Sequence, residues 1–328
     1  MKTLVLGSNS FAGACFVNHL LNNEKTVIGV SRSKEPNPIL LAYQNNANKT
    51  LFQFYQFDIN KQINEIFKLI SQQKPNIIVD FAGQGMVAES WSAPDQWYQT
   101  NIVAKAQLHH FLSQCDFIEK YIRVSTPEVY GSTEKDIDEN CHYKPSTPYA
   151  VSHAAIDLSL KAYYQQYQFP VVFTRFANFY GPYQQLYRII PRTIIYGLTG
   201  KKLSLHGGGT SQRAFIYGDD VAVALNSVIE NGKIGETYHF SSEKPLSIAR
   251  LVEIICKKMD IEFSVLVQST VDRPGKDAMY AMSSEKAARF LGWKPKISLE
   301  IGIAHTIDWV RSNIEAIKSL PLEYIHKK

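Results

Sequence analysis

Residues 3–13 read Thr-Leu-Val-Leu-Gly-Ser-Asn-Ser-Phe-Ala-Gly, a short apolar run that leads directly into a turn bounded by Gly7 and Gly13. A segment of helical periodicity follows. Glycine lets the backbone approach a ligand closely, and the first turn of a helix offers unpaired N–H groups and a favourable dipole to an anion. Within a strand–helix–strand unit, this pattern predicts the pyrophosphate loop of a dinucleotide site, with contacts from Gly7, Ser10, Phe11 and Gly13.

The same alternation of short apolar runs and longer helical segments continues outward from this loop through the first half of the chain. The predicted strands are 3–6, 26–30, 51–57, 76–80, 121–124 and 171–174, and the predicted helices are 11–21, 63–70, 95–113 and 149–167. Strands separated by helices of this length predict an α/β fold with a Rossmann-type, doubly wound parallel sheet.

Beyond about residue 178 the alternation lapses, and prolines and glycines divide the chain into shorter pieces. We therefore predict a dinucleotide-binding Rossmann domain over residues 1–178. A smaller C-terminal α/β substrate-binding lobe is predicted over residues 179–328, with some segments returning to the first domain.

The overall composition argues against several classes of protein. The chain has 35 Lys and Arg against 30 Asp and Glu, with no run of like charges of the kind that marks nucleic-acid binding. No stretch approaches the ~18 apolar residues of a membrane span, and the first apolar run is too short for a signal peptide. The four cysteines have neither disulfide-framework nor zinc-site spacing. We expect a cytoplasmic protein that binds no metal, no nucleic acid and no membrane.

In a doubly wound sheet, ligands bind at the carboxyl ends of the strands. The second predicted strand is followed by Ser31 and Arg32 and lacks the acidic residue that usually holds the ribose of NAD. Because Arg32 can pair with a 2′-phosphate, NADP is the predicted cofactor and NAD the alternative. Asp58, after the third strand, either contacts adenine or forms a turn. Further candidate cofactor contacts at the strand ends are Ile59, Ala82 and Gly83.

A second group of polar residues follows the fifth predicted strand. Residues 124–131 read Val-Ser-Thr-Pro-Glu-Val-Tyr-Gly, and residues 149–153 read Tyr-Ala-Val-Ser-His at the start of a predicted helix. The spacing of four residues places Tyr149 and His153 on one helix face. A hydroxyl at a strand end can line one pocket with such a tyrosine and a basic group one helical turn after it.

Several segments, in the same order along nearly the whole chain, resemble the extended short-chain dehydrogenases, and within them the nucleotide-sugar 4,6-dehydratases. Residues 125–131 resemble the dehydratase segment Ser-Thr-Asp-Glu-Val-Tyr-Gly, and residues 178–183 resemble Asn-Asn-Tyr-Gly-Pro-Tyr. Residues 272–277 resemble Asp-Arg-Pro-Gly-His-Asp, residues 213–220 resemble the segment whose arginine holds the substrate diphosphate, and residues 291–295 form another shared segment. The resemblance implies a nucleotide-diphosphate sugar as substrate.

The resemblance also implies roles for individual residues. Tyr149 would take the proton of the sugar 4-hydroxyl, Thr126 would hydrogen-bond that oxygen, and Glu128 would take the C5 proton before water leaves C6. Tyr149 and His153 would also contact the nicotinamide ribose. Substrate contacts are implied for Gln84, Ser90, Asn178, Arg213 and Arg273, of which the two arginines would hold the diphosphate. By the same analogy, helices 95–113 and 149–167 would form a homodimer interface.

Three positions depart from the family pattern. His153 replaces a lysine; because an unperturbed imidazole is largely uncharged at neutral pH, we expect slower or more pH-dependent oxidation unless a carboxylate holds the ring protonated. Pro127 replaces the aspartate that in many dTDP-glucose dehydratases protonates the leaving hydroxyl, so Glu128 would serve as base and then acid. Ser10 replaces the middle glycine of the phosphate loop.

These departures leave three hypotheses open. The first is a 4,6-dehydratase. The second is an epimerase of the same fold, which oxidises C4 transiently without losing water. The third is a weakly active homologue that binds a nucleotide sugar or NADP, in which lysine at position 153 would restore activity.

Overall fold

The structure is a computed structural model that describes residues 2–133, 136–242, 244–270, 279 and 281–327. In chain order its strands are β1 (Lys2–Leu6), β2 (Thr26–Ser31), β3 (Phe52–Gln56), β4 (Ile77–Asp80), β5 (Lys120–Ser125), β6 (Val171–Phe176), β7 (Asn178–Tyr180), β8 (Leu203–His206), β9 (Gln212–Arg213), β10 (Phe215–Tyr217), β11 (Thr237–Phe240), β12 (Leu246–Ser247) and β13 (Val267–Thr270). Its α-helices are α1 (Phe11–Asn22), α2 (Ile63–Gln73), α3 (Pro94–Tyr98), α4 (Ala104–Leu112), α5 (Pro148–Tyr167), α6 (Ile189–Thr199), α7 (Gly218–Asn231), α8 (Ile248–Met259), α9 (Phe263–Leu266), α10 (Glu285–Leu291), α11 (Leu299–Ser312) and α12 (Ile314–Lys318).

Seven of the described strands form one parallel sheet in the order β11-β6-β5-β4-β1-β2-β3. Every residue of β4 and of β6 is buried. Both strands are mostly apolar, and the charged residues in them form ion pairs with other buried side chains. Strands buried on both faces require helices on both sides of the sheet. The predicted α/β fold with a Rossmann-type parallel sheet is confirmed.

The strand order reverses between β1 and β4, with β2 and β3 on one side and β4 to β6 on the other. At such a point the loops that follow the two central strands diverge to opposite faces and leave a crevice at their carboxyl ends. Here the crevice opens after Leu6 and Asp80, which are paired in register.

Helices cover both faces of this sheet. On one face, α1 and α7 pack together in a core that includes Phe16 and Leu225. On the other face, α2, α4 and α5 contribute Ile66, Leu108 and Leu160 to a second core. The two cores hold the strand ends, and thus the crevice, in a fixed geometry.

The chain after residue 178 contributes to both parts of the molecule. Residues 218–240 return to the sheet, because α7 packs on α1 and β11 pairs with β6 from Thr237 opposite Phe173 onward. By contrast, α6, α8 and α11 pack around a separate core that defines the smaller lobe. The domain boundary at residue 178 stays a prediction.

The predicted helix 95–113 differs from the observed structure. It consists of α3, a π-helical segment at Gln99–Val103, and α4. A π segment inserts an extra residue per turn and is frequent at functional sites. Here it buries both Thr100 and Asn101.

None of the helices in the described ranges is long and apolar enough to span a membrane. Within those ranges, no group of His, Cys, Asp and Glu side chains has the arrangement of a metal site.

Candidate active site

A cavity of about 590 Å³ opens at the crevice between β1 and β4. Its volume lies within the range of roughly 300–1,000 Å³ that is typical of small-molecule sites. Most of the predicted cofactor contacts line it together with one predicted substrate contact: Gly7, Ser10, Ser31, Arg32, Asp58, Ile59, Ala82, Gly83 and Gln84.

The turn after β1 brings the backbone against the loop that follows β4. Gly7 has a φ of +82°, and a Cβ at this residue would lie 2.9 Å from the backbone nitrogen of Ala82. A Cβ on Gly13 would overlap the Gly7 carbonyl oxygen and lie 2.8 Å from Ser10 Oγ. Both positions therefore require glycine, and the N-terminus of α1 reaches the crevice as a cradle that suits a pyrophosphate.

Ser10 is the N-cap of α1. Its backbone is extended, with a φ of −71° and a ψ of 158°, and its Oγ accepts a hydrogen bond from Gly13 N at 3.1 Å. Because any residue can adopt this conformation, serine in place of the family's glycine causes no backbone strain and adds a helix cap.

Two of the predicted cofactor contacts take a more specific form in the structure. Phe11 is buried and is not among the residues that line the cavity, and its ring lies close to Gly218, whose added Cβ would be 3.0 Å from the ring. Asp58 lines the cavity and also accepts a hydrogen bond from Asn60 N at 2.8 Å. Its two proposed roles, turn former and adenine contact, are therefore compatible.

A C-terminal strap, residues 320–327, contributes to the cavity wall and was missed in the sequence. The Lys327 carbonyl oxygen accepts a hydrogen bond from Gln84 Nε2 at 2.8 Å, and Lys327 Nζ donates to Ser33 Oγ at 2.9 Å. The ring of His326 stacks on Trp97 with centroids 5.4 Å apart. The strap therefore connects the segments that follow β2 and β4 across the crevice.

The turn that follows β5 carries the predicted catalytic residues Thr126 and Glu128 and is therefore called the catalytic turn. Thr126 caps a 3₁₀ turn, Pro127–Tyr130, and its Oγ1 accepts a hydrogen bond from the Glu128 backbone N–H at 3.3 Å. Pro127 is the first residue of this turn, where a fixed φ and a missing N–H are favourable. The family's aspartate is thus replaced by a residue that stiffens the turn carrying Glu128.

Tyr149, the second residue of α5, faces this turn. The Thr126 side chain and the Glu128 carboxylate both act on its phenol. Burial and then the Glu128 carboxylate raise the pKa of Tyr149, whereas the Thr126 side chain and the charge of Arg123 lower it. The phenol therefore interacts with both groups of the turn, and the catalytic roles of the three residues stay predictions.

His153 lies one helical turn after Tyr149, with ring centroids 4.5 Å apart. Burial and the positive charges of Arg123, Lys105 and Arg175, in that order, hold the pKa of His153 well below its ordinary value. Its Nδ1 lies 2.9 Å from Arg123 Nη2, so the partner at this nitrogen is a guanidinium and not a carboxylate. The ring is neutral at physiological pH.

Asn101, in the π-helical segment, holds the loop after β4 and was also missed. Its Oδ1 accepts a hydrogen bond from Gln84 N at 2.7 Å, and its Nδ2 donates to Gln84 O at 3.2 Å and to Ser152 Oγ at 3.0 Å. The irregular helix that presents Asn101 has no signature in the sequence. Gln84 is thereby fixed at the cavity wall, while its contact with substrate stays a prediction.

Ser90, another predicted substrate contact, is fully buried. Its hydroxyl donates to the Val87 carbonyl oxygen at 2.6 Å and accepts from Tyr149 N at 3.2 Å. These partners assign it a positioning role at the start of α5. A direct contact with the sugar stays a prediction.

Asn178 and Arg213 meet beside the catalytic turn. Both line a small cavity together with Pro127. They are neighbours because β7 pairs with β10 and the Asn178 N–H donates to the Ala214 carbonyl oxygen at 3.0 Å. The predicted contact of Arg273 lies outside the described residues.

Known proteins have a similar sequence and the same architecture. The family model described as GDP-mannose 4,6 dehydratase matches residues 4–306. The chain belongs to the nucleotide-sugar 4,6-dehydratase/epimerase family of extended short-chain dehydrogenases. Among curated relatives of this family, dTDP-glucose 4,6-dehydratase 1 of Escherichia coli K12 is 32% identical over an alignment of 347 positions. The alignment covers 98% of this chain and 95% of the relative.

Solved structures of the family have the same fold. A dTDP-glucose 4,6-dehydratase from Streptomyces venezuelae, with NAD bound, gives a TM-score of 0.88 at 29% identity and covers 96% of this chain and 98% of its own. A UDP-glucose 4-epimerase from Thermotoga maritima, with UDP-glucose, gives a TM-score of 0.86 at 25% identity and covers 96% and 100%. The family predicted from the motifs is confirmed, and both dehydratases and epimerases occur among the relatives.

Proposed function

We propose that this protein is a nucleotide-diphosphate-hexose 4,6-dehydratase. The observation that carries the proposal is that one turn holds Glu128 and Thr126, and that both of these side chains act on the phenol of Tyr149. Transient oxidation at C4 needs the phenol and the hydroxyl. Elimination of water across C5 and C6 additionally needs a general base at C5, and Glu128 supplies one.

The chemistry follows from the positions of these groups. A bound nicotinamide dinucleotide would accept a hydride from C4 and return it to C6. Tyr149, as phenolate, takes the proton of the 4-hydroxyl while the Thr126 hydroxyl hydrogen-bonds the same oxygen. The C4 ketone acidifies the C5–H bond, and the Glu128 carboxylate removes that proton. Because Pro127 has no acidic group, Glu128 returns the proton to the leaving oxygen at C6, which departs as water. When hydride reaches C6, C5 takes up a proton from solvent, and Tyr149 releases the 4-hydroxyl proton to solvent, so that both groups regain their starting state.

Asn178 and Arg213 are the proposed substrate contacts on the other side of the catalytic turn. Their shared cavity adjoins Pro127, the residue before Glu128. The planar guanidinium of Arg213 suits the oxygens of a diphosphate. Arg273 is proposed as a second diphosphate contact from the sequence motif alone.

The decisive test uses nucleotide-diphosphate hexoses that carry deuterium at C4. A dehydratase yields a product lighter by one water, with the deuterium transferred to C6. An epimerase yields an isomer of unchanged mass that keeps the deuterium at C4. Retention of the C6 oxygen in every product, or binding without turnover, contradicts the proposal and favours the epimerase or the weakly active homologue respectively.

The variant Glu128→Gln tests the base directly. It should retain C4 oxidation, seen as cofactor absorbance after substrate addition, and lose elimination by about 10²- to 10⁴-fold. Glu65→Gln is the matched control, because Glu65 is an exposed residue on α2. Equal losses of both steps in Glu128→Gln would assign Glu128 a structural role.

For the cofactor, we infer a preference for NADP over NAD. The side chains of Arg32, Lys34 and Lys327 line the part of the cavity that follows β2. The segment Ser31-Arg32-Ser33 has no carboxylate to hold an unphosphorylated ribose. A cationic wall of this kind favours the additional phosphate of NADP.

We also propose a homodimer in the cytoplasm. Large apolar side chains are exposed on α5 and on the π segment before α4, namely Val103, Val151, Leu158 and Tyr167. Tyr163 and Tyr164 instead pack against the second core of the sheet. The free state of all four cysteines is consistent with a reducing compartment. Sedimentation of the protein and of Leu158→Asp, which should dissociate the dimer, tests the assembly.

A further inference from the structure

Arg123, on β5, lies directly behind His153 and fixes the state of its ring. Arg123 Nη2 is 2.9 Å from His153 Nδ1, and the arginine side chain is 2% exposed. Arginine offers only donors and stays charged in proteins, so Nδ1 must be the acceptor. The proton of the neutral imidazole is therefore on Nε2, and the Nε2–H group points away from the guanidinium.

The guanidinium is itself held on two other sides. Its Nε donates to Asp157 Oδ1 at 3.2 Å, and its Nη1 lies 3.9 Å from Asp80 Oδ2. The second oxygen of Asp157 accepts hydrogen bonds from Ser125 Oγ at 2.6 Å and from Arg175 Nη2 at 2.9 Å. Because these groups are buried, Arg123 cannot leave His153 without also leaving a desolvated carboxylate with fewer partners.

The buried network contains one more cation than it contains carboxylates. Lys105, Arg123 and Arg175 are paired with Asp80 and Asp157. One of these cations, Arg123, contacts the His153 ring directly. Arg123 also acts electrostatically on the phenol of Tyr149.

We propose that Arg123 and His153 together replace the lysine of this family's tyrosine–lysine pair. His153 donates its Nε2–H to a hydroxyl of the nicotinamide ribose. Arg123 is a positioning residue, which selects this tautomer and supplies the positive charge that favours the Tyr149 phenolate. The kinetic part of this inference rests on the proposed dehydratase function, whereas the tautomer does not.

The proposal reverses the expectation that lysine at position 153 would restore activity. With Arg123 in place, His153→Lys puts a second cation against a buried guanidinium that already has excess positive charge around it. A lysine charge at position 153 is favourable only when the charge of Arg123 is removed. The two positions should therefore be coupled, with each single substitution harmful and the pair of substitutions compensating.

The kinetic test compares the full-length protein with Arg123→Met, His153→Lys and the double variant. Each single variant should lower kcat by roughly 10- to 100-fold, with a smaller change in KM, because the proton transfer from the 4-hydroxyl is impaired. The double variant should exceed both single variants by at least about fivefold. A double variant that is no better than the worse single variant overturns the proposal.

Arg175→Met is the matched control for loss of a buried cation. Arg175 bonds the same Asp157 carboxylate as Arg123 and is equally buried, but its described hydrogen bonds go to Asp157 and Tyr143, not to His153. Thermal unfolding should show similar destabilisation of Arg123→Met and Arg175→Met. Only Arg123→Met should change the His153 ring.

The second test observes that ring without any substrate. Nitrogen-15 NMR of histidine-labelled protein, with the signal assigned by its loss in His153→Gln, should show an unprotonated Nδ1 and a protonated Nε2 throughout pH 6–8. In Arg123→Met the ring should populate both tautomers. The groups that face it from β5, α4, β6 and its own helix are Arg123, Lys105, Arg175, Tyr149 and Asp157. A protonated Nδ1 in the unsubstituted protein overturns the proposal.

The two tests separate this inference from the proposed function. If no nucleotide sugar is dehydrated but the NMR signature holds, the dehydratase proposal fails. The role of Arg123 and His153 in holding the nicotinamide ribose is then tested by the dinucleotide affinity of the variants. That affinity should fall about 5- to 10-fold in Arg123→Met, since one ribose hydrogen bond is misaligned, and should be unchanged in Arg175→Met. Unchanged affinity in both variants contradicts the role of the pair.

Discussion

The cofactor crevice and the catalytic corner of this protein are built in different ways. The crevice uses the backbone of short continuous stretches, above all the turn from Gly7 to Gly13, whose glycines are required by close backbone contacts. The catalytic corner, formed by the predicted catalytic residues Thr126, Glu128, Tyr149 and His153, uses side chains and lies against a buried network of charges from β4, α4, β5, α5 and β6. A site formed by the backbone accepts serine at position 10, because the side chain only adds a helix cap. A site defined by side chains can exchange lysine for His153 only together with its buried neighbours.

The largest effect is expected in the catalytic corner, from Tyr149→Phe. Without the phenol no group accepts the 4-hydroxyl proton, so product formation should fall by about 10³-fold or more. Cofactor affinity, measured by fluorescence titration, should fall by no more than about tenfold, because one predicted ribose contact is lost while the crevice is unchanged. Tyr55→Phe, on the edge strand β3 and outside the cavity lining, is the control. Substantial residual turnover in Tyr149→Phe would remove the central distinction between the two regions.

Gly13→Ala should have the opposite pattern. The added Cβ overlaps the Gly7 carbonyl oxygen, and overpacking of this kind costs about 1–3 kcal/mol, which corresponds to roughly a 10- to 100-fold loss of dinucleotide affinity. Gly85→Ala is the matched control, since a Cβ there has nothing within 4 Å. Calorimetric titration of the two variants measures the difference. Equal affinities would show that the loop is not the phosphate cradle.

The buried histidines should make the protein sensitive to mild acid. Burial lowers the pKa of His109 to about 3, and the pKa values of His153 and His239 are also held well below 6.5. Between those values and 6.5 the unfolded chain binds protons that the folded chain does not. Stability is therefore lost as pH falls below 6.5, by about 1.4 kcal/mol per pH unit for each ring.

Urea unfolding at pH 7.5 and pH 5.5 measures this loss. His109→Gln should reduce the pH dependence by about one third if the three rings contribute equally. Substitution of the exposed neighbour His110 to Gln should leave it unchanged. An unfolding free energy that is flat between the two pH values would contradict neutral burial of the rings and weaken the contrast between the two regions.

The smallest effect is expected from Arg32→Asp, which sharpens the description of the crevice. The substitution removes a cation that can pair with a 2′-phosphate and adds a carboxylate that can accept hydrogen bonds from ribose hydroxyls. The ratio of NADP affinity to NAD affinity should therefore shift toward NAD by about tenfold or more. Arg250→Asp, on the exposed side of α8, serves as the control for charge. A ratio that does not move would place the 2′-position away from Arg32.

The sequence predicted the parts of the molecule that depend on local periodicity. The alternation of strands and helices located six strands of the sheet, and the motifs assigned Thr126, Glu128 and Tyr149 to one predicted site. Contacts between distant residues were not visible in the same way. The sequence predicted that some late segments return to the first domain, but not that β11 is the strand that does so. That pairing, the π-helical segment that presents Asn101 and the position of Arg123 behind His153 all depend on tertiary packing. Arg123 lies in an otherwise apolar predicted strand, and this lone charge was the one sign in the sequence that the strand packs against other polar groups.

The C-terminal strap also bears on how often the cofactor can be exchanged. Besides its contacts across the crevice, it carries the ion pair of Glu323 with Arg192 at 2.8 Å, and a dinucleotide in this cavity would lie against it, so that its dissociation would require these contacts to open. A dehydrogenase must release its reduced cofactor in every cycle, and such a cover would limit its rate. A reaction that takes a hydride and gives the same hydride back needs no exchange, so slow dissociation leaves its turnover intact.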